Sequence, residues 1–395
     1  MGLRSLVLES SDSLRVTGFA FLTWANGWKA LDALGIGDSI RQQHELLQGL
    51  VATSTISGLP TAQISFTNAQ GKSGEGHEVR SVGRKLLLET LGNELPLGTI
   101  RYSSKVVLIE EDGYSKLVHL ADGSIIKTKV LIGCDGVNSV VAKWLGLPEP
   151  TFIGRATIRG LATYDEDELG HGFGSSFLQL FGNGCRSGFV PCNKKTVHWF
   201  FQYNSSIHEK IEEEPTKLKQ FVLNNLGKPP KGVISIVEKT GLESIISSPL
   251  RTRWPWKVLR GDINKRNVCV AGDALHPMTP DLGQGACSAL EDGVVLARCL
   301  GQALLMSREQ TGSIFDSDKD KDKDEEEEYS RIEEGLDRFA KERSWRSFEL
   351  ITTSYLMGSI QQCSGKVFNI IRDKFLSPYL AGMLLKKAEF DCGKL

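Results

Sequence analysis

The chain has 395 residues, 40% hydrophobic and 24% charged, with a net charge of −1; this is the composition of an ordinary globular protein with room for two or three cores, and it excludes a disordered or fibrous chain. The charge is uneven: Asp316 to Glu328 carries nine acids and three lysines, so the rest sums to +5 (−1 minus −6), an excess that suits an anionic small molecule and falls short of a nucleic-acid footprint. Eight scattered cysteines without a CxxC pair or zinc spacing read as reduced thiols of a cytoplasmic protein, no run of about 18 apolar residues offers a transmembrane segment, and the opening MGLRSLVLES turns polar too soon for a secretory signal.

In chain order, Leu6-Val7-Leu8 reads as a short buried strand closed by Glu9, and Ala20 to Leu34 shows helical spacing before the Gly35–Gly37 stop. Arg84 to Leu95 is a second amphipathic helix. Lys105–Ile109, Lys116–Leu120 and Ile125–Lys129 alternate around Asp-Gly turns as a three-stranded meander. Val130-Leu131-Ile132 is an unbroken apolar strand, which predicts a parallel sheet covered on both faces. From Thr151 to about Pro255 the pattern is strand-rich with Gly-rich turns and aromatic runs, and a separate antiparallel sheet is expected there. Val268–Ala271 is again a buried strand, followed by a Pro-containing loop and a helix from about Gln284 to Leu305. The acidic tract reads as a solvated, disordered loop over 311–328, and from Tyr329 on helices present an apolar face of Ile332, Leu336 and Phe339. The fold class is thus α/β, with one unit formed by 1–150 and 256–310, a second sheet over 151–255, and a helical segment over 329–395.

The chemistry concentrates in Val268 to Gly293. A buried strand delivers one acid, Asp273, into a loop, and Gly283-Gln284-Gly285 then opens a long helix. A carboxylate just past a strand can accept hydrogen bonds from sugar-like hydroxyls, and the free N–H groups of a helix start favour partial negative charge. Gly272 precedes Asp273 at the strand end, and Gly283 and Gly285 allow close backbone approach because they lack Cβ.

This stretch resembles the flavin-binding "GD" motif of the group A flavoprotein monooxygenases, the para-hydroxybenzoate and salicylate hydroxylase family, and meets its pattern GDAxHPxxPxxGQGxxxAxED with Leu275 at the variable place. The wording of the chain is closest to plant members. The resemblance implies a Rossmann-like FAD-binding domain, Asp273 on the ribityl chain, and the loop Pro280 to Gly285 against the isoalloxazine ring. Gly133-Cys134-Asp135-Gly136 looks like the family's "DG" motif, which serves FAD diphosphate and NAD(P)H together. Glu9, with Arg15 after it, is placed like the acid that meets the adenosine ribose, and Arg84 is similar to the arginine that meets the FAD phosphates. The implied activity is an NAD(P)H-consuming insertion of one oxygen atom of O2 into a small aromatic or hydrophobic substrate, with no catalytic triad and no metal. His276 reads as a shape and hydrogen-bonding residue of the cofactor loop. Phe177, Phe189, Trp199 and Phe201 are candidates for the substrate lining.

One departure bears on this expectation. A dinucleotide fold places a first strand, a GxGxxG turn and a helix, roughly 30 residues, ahead of the ribose acid. Glu9 lies almost at the start, and neither Gly71–Gly76 nor Gly170–Gly174 follows a buried strand or opens a helix. Two further readings therefore stand beside the monooxygenase: a noncatalytic, shortened family member with impaired FAD binding, and another flavin oxidoreductase of the same fold.

Overall fold

Two short parallel strand pairs and one large mixed sheet carry the chain, in a computed structural model that describes residues 4–14, 20–67, 76–165, 172, 174–205, 214–305 and 318–395. Val7–Leu8 runs parallel to Ile100–Arg101. Leu131–Gly133 runs parallel to Val268–Val270, and Asn264–Lys265 closes that sheet antiparallel. Both faces of the second pair are covered, as its unbroken apolar run requires. Val268 and Val270 enter a core with Val141, Leu145 and Ile263, while Cys269 and Ala271 enter another with Val294, Leu336 and Phe339. The meander forms as read, with strands Val106–Asp112, Ser115–Leu120 and Ile125–Thr128. Helices form at Arg84–Asn93 and Gly285–Leu305.

Three expectations are corrected. Ala20–Thr23 is a strand paired antiparallel with Arg80–Gly83, and only Ala25–Ala33 is helical; a four-residue apolar run fits either period, and a partner about 60 residues away decides it. The large sheet is not confined to 151–255. Its order is Ile245–Thr252, Thr151–Thr163, Thr196–Asn204, Cys185–Asn193, Ser176–Phe181, Gly49–Ser54 and Pro60–Ser65, and the Gly49–Ser54 strand enters it parallel to Ser176–Phe181. The acidic tract, read as a disordered loop, is helical from Asp318, where a 44-residue helix begins that runs to Gln361; residues 306–317 lie outside the described residues. Glu and Lys are good helix formers and a docked helix propagates cheaply, and Glu327 pairs with Arg331 one turn on.

That long helix lies along Gly285–Leu305, and buried charge joins the two. Arg343 Nε donates to Asp292 Oδ1 at 2.6 Å and its Nη2 lies 2.8 Å from Glu291 Oε2, all three side chains being fully buried. Arg346 Nη2 donates to Glu291 Oε1 at 3.0 Å and to the Lys387 carbonyl at 2.8 Å. Two arginines against two carboxylates leave this cluster neutral, so it stays buried only while every member is present. Arg343→Ala is expected to cost about 3–5 kcal/mol, because it strands a buried carboxylate. Arg298→Ala, at the part-exposed Arg298–Glu342 pair, is expected to cost at most about 1 kcal/mol. Urea unfolding midpoints compare the two, and similar losses would rule out the buried pair as the stronger tie.

Candidate flavin loop and its surroundings

The strand Val268–Val270 ends because Gly272 turns left-handed, with φ +59°. Its N–H donates to Asp292 Oδ2 at 2.7 Å. A 3-10 turn over Gly272–Ala274 follows and leaves the Asp273 side chain exposed. Almost every later step of the loop is held by a side chain from elsewhere. Arg253 Nη1 donates to the carbonyls of Ala274 and Leu275 at 2.6 and 2.7 Å. Thr252 Oγ1 donates to Pro277 O at 3.1 Å, and Ser354 Oγ to Thr279 O. Trp24 Nε1 donates to Gly283 O at 3.1 Å, and Asn26 Nδ2 to Gln284 Oε1 at 2.7 Å. Burial lowers the Arg253 guanidinium to about 10, so it still carries its charge under neutral conditions.

His276 Nε2 meets Asp292 Oδ2 at 2.7 Å in full burial, and Ser288 Oγ lies 3.3 Å from the same nitrogen. Burial pushes the Asp292 carboxyl up, but His276, Arg343 and the Gly272 N–H outweigh it and hold Asp292 at about 2. The sequence reading of His276 as a structural member of the loop agrees with this placement.

Gly283 sits at φ +62°, and Gly285 begins the 21-residue helix. A Cβ added at Gly285 would meet nothing within 4 Å. Beside this opening, the Gln284 Nε2 is buried without a hydrogen-bond partner. Gly272, Asp273, Pro280, Gly283, Gln284 and Gly285 thus belong to one loop. Asp135 and Gly136 leave the neighbouring parallel strand at the same end, since Gly133 pairs with Val270. The Asp135 carboxylate accepts from the Ser139 hydroxyl and from Val140 N at 2.7 Å, so it supports the start of the helix Val140–Trp144, which Ser139 caps. Glu9 follows the other parallel pair, and its Oε1 accepts the Ser11 N–H at 2.8 Å. Arg84 is exposed at the first position of its helix. Arg15 lies outside the described residues, as do Gly71–Glu75 and most of Gly170–Gly174.

The aromatic lining is corrected by strand parity. Phe189, Trp199 and Phe201 share a core with Leu218, Val222 and Ile236 of the helices Pro215–Asn225 and Val233–Lys239. They therefore point away from the flavin loop. Phe177 packs in the cluster that contains Trp24 and Leu282, and Phe200, two strands along, lies on the same side, both rings covering Gly188 of the strand between them. One residue along a strand reverses the face.

On that same side the sequence reading missed a buried ion cluster. Asp281, fully buried, receives Arg186 Nη1 at 2.7 Å and Arg155 Nη1 at 3.3 Å. Arg155 Nη1 also donates to Gln362 Oε1 at 2.9 Å, and Arg186 lies 5.2 Å from the Phe200 ring. Two guanidiniums face one carboxylate, and Arg155 Nη2 and Arg186 Nε are buried without partners. The available signal was an arginine inside strands with no acid to pair it, Arg155 in Thr151–Thr163 and Arg186 in Cys185–Asn193.

The low Asp292 carboxyl gives a pH dependence. A group whose acidity is greater folded than unfolded stabilises the fold fully above its unfolded value, near 3.8, and loses that contribution as pH falls toward 2. Asp292→Asn should therefore flatten the decline in urea midpoint between pH 4 and 2; an unchanged slope would exclude Asp292 from acid unfolding.

Residues 1–313 match the family described as FAD binding domain. The chain is 53% identical to Monooxygenase 2 of Arabidopsis thaliana over all of its own length and 93% of that protein, and 33% identical to Monooxygenase 1 of the same plant over 100% and 94%. Among solved structures it resembles HpxO of Klebsiella pneumoniae, complexed with FAD and uric acid, with a TM-score of 0.77 at 21% identity, over 97% of this chain and 90% of that one. The chain thus belongs to the FAD-binding-domain family as an FAD-dependent monooxygenase of the group A kind.

Proposed function

We propose that this chain seats FAD with its ribityl chain on Asp273 and its ring along Pro280–Gly285, and uses it to hydroxylate a small aromatic anion at the expense of NAD(P)H. The observation that carries the reading is the opening at Gly285: a long helix starts there, space lies over its first residue, and the buried Gln284 amide nitrogen has no partner. A flat ring with an acceptor edge fits this cradle, because a helix start favours partial negative charge. When bound, FAD supplies the reduction and oxygen chemistry. The residues of the chain do the rest. Trp24, Asn26, Thr252, Arg253 and Ser354 fix the loop, Glu9 serves the adenosine ribose, and Arg84 with the Asp135-Gly136 turn serves the diphosphate and the nicotinamide reductant. Asp135 does so by holding its own helix start rather than as a free carboxylate.

The substrate side is the face of the large sheet that carries Phe177, Phe200, Arg155 and Arg186, so we assign Gly49–Ser65 to it together with 151–255. The excess of one positive charge around Asp281 selects a carboxylate, phenolate or related anion, and Phe200 beside Arg186 offers it a ring face. The HpxO likeness, by its uric acid complex, favours the same class of planar, acidic ring. All eight cysteines are unpaired, which supports a reducing, cytoplasmic setting.

Two measurements test this. The chain incubated with FAD and desalted should keep a visible flavin band, and Asp273→Ala should weaken FAD binding about 10–100-fold, the loss of one or two hydrogen bonds to a charged acceptor. If no band survives, even when a GxGxxG strand–loop–helix is fused ahead of Met1, the flavin reading fails; a band only in the fusion would mark this chain as a noncatalytic form. With salicylate as probe, Arg186→Met should raise KM about 10–100-fold for NAD(P)H-dependent oxygen uptake and leave a neutral aromatic probe unaffected. Equal changes for both probes would remove the anion-selecting role.

A further inference from the structure

The segment Lys366–Lys387 is one helical rod with a bend in register: α-helix over Lys366–Ile371, a π-turn over Arg372–Leu376, and α-helix over Ser377–Lys387. Pro378 has no N–H for the regular ladder, which accounts for the wider turn just ahead of it. The two faces of this rod differ sharply. Inward, Leu380, Ala381, Leu384 and Leu385 join the core that holds Leu282 of the flavin loop. Buried Arg372 donates to the carbonyls of Gly182 and Gln361 at 2.9 and 3.1 Å, and Asn369 Nδ2 reaches Asn183 Oδ1 at 3.3 Å. These ties fix which face looks out. Outward, Val367, Phe368, Ile370, Ile371, Phe375 and Tyr379 are exposed, Phe368 by 64% and Phe375 by 70%. Lys366, Lys374 and Lys386 are exposed along the same rod. Its single acid, Asp373, is paired with Arg372.

We propose that this face docks the protein on an anionic phospholipid surface, lying in the plane of the headgroups with Phe368 and Phe375 among the acyl chains. An apolar face of this size is not left to water without a partner. Exposed aromatics fringed by lysines on a fixed helix are the pattern of an interfacial anchor, and among the described residues no helix is long and apolar enough to cross a membrane. The charge selects the occupant. A second copy docked face to face would set Lys366, Lys374 and Lys386 against their own counterparts, whereas anionic headgroups complement all three. The inner face meets the core beside the flavin loop, so a lipid-borne hydrophobic ligand would arrive next to it.

The test is flotation of the full chain with vesicles of phosphatidylcholine containing about 30% phosphatidylserine, beside pure phosphatidylcholine. Binding to the anionic vesicles is expected, with release in about 0.5 M salt. Lys366→Gln with Lys374→Gln should lower partitioning about 25-fold, roughly fivefold for each lysine. Phe368→Ser with Phe375→Ser should abolish it. Both pairs are exposed, so their thermal midpoints should match the parent, which separates lost docking from lost folding. Absence of vesicle binding, equal binding to both vesicle types, or a dimer in light scattering that the Phe→Ser pair dissolves would each overturn the proposal, the last in favour of a second copy.

Discussion

The start of the candidate flavin loop is anchored on one buried carboxylate. Asp292 takes the Gly272 N–H and His276 Nε2 on one oxygen and Arg343 on the other. It therefore ties the end of a sheet strand, the loop that follows, the helix it belongs to, and the long C-terminal helix. An ion in such a place is tolerated only when fully paired. The neighbouring Glu291 extends the arrangement to Asn26 and Arg346, so the helix Ala25–Ala33 and the long C-terminal helix are tied to the same point.

How far this could be read from the sequence depended on the range of the forces involved. The meander, the strand Val268–Val270 and the helix from Gly285 were legible because turn residues and apolar periodicity lie within a few residues of what they determine. The glycine-bearing loop was legible for the same reason. Ala20–Thr23 was not, since its strand character comes from pairing with Arg80–Gly83. Gly49–Ser54 was not, because its partner begins at Ser176. Phe189, Trp199 and Phe201 were recognised as strand aromatics, but which face is inward is set by the helices Pro215–Asn225 and Val233–Lys239, and parity carries no label in the sequence. The acidic tract shows a further limit: local charge argued for a loop, while a helix already docked through Ile332, Leu336 and Phe339 carries it as helix.

The large sheet separates two tasks by alternation. Along Thr196–Asn204, Phe200 looks toward the flavin loop, while Trp199 and Phe201 build the opposite core. Along Thr151–Thr163, Arg155 reaches Asp281, while Ala156 and Ile158 lie in that opposite core. Shape and charge on the loop side are thus carried by residues other than those that pack against the helices Pro215–Asn225 and Val233–Lys239.

The clamps on the loop also set an order of events. Trp24 and Asn26 are made early, whereas Ser354 and Arg343 belong to residues synthesised long after the loop itself, and Trp24 and Gly283 are separated by 259 positions. A nascent chain that has just finished Gly285 holds the motif but not its conformation. The contacts that hold the loop are complete only once the long C-terminal helix, which carries Arg343 and Ser354, has been made and has docked. Chains that stop short of Ser354 would carry the recognisable motif while lacking the frame that gives it meaning.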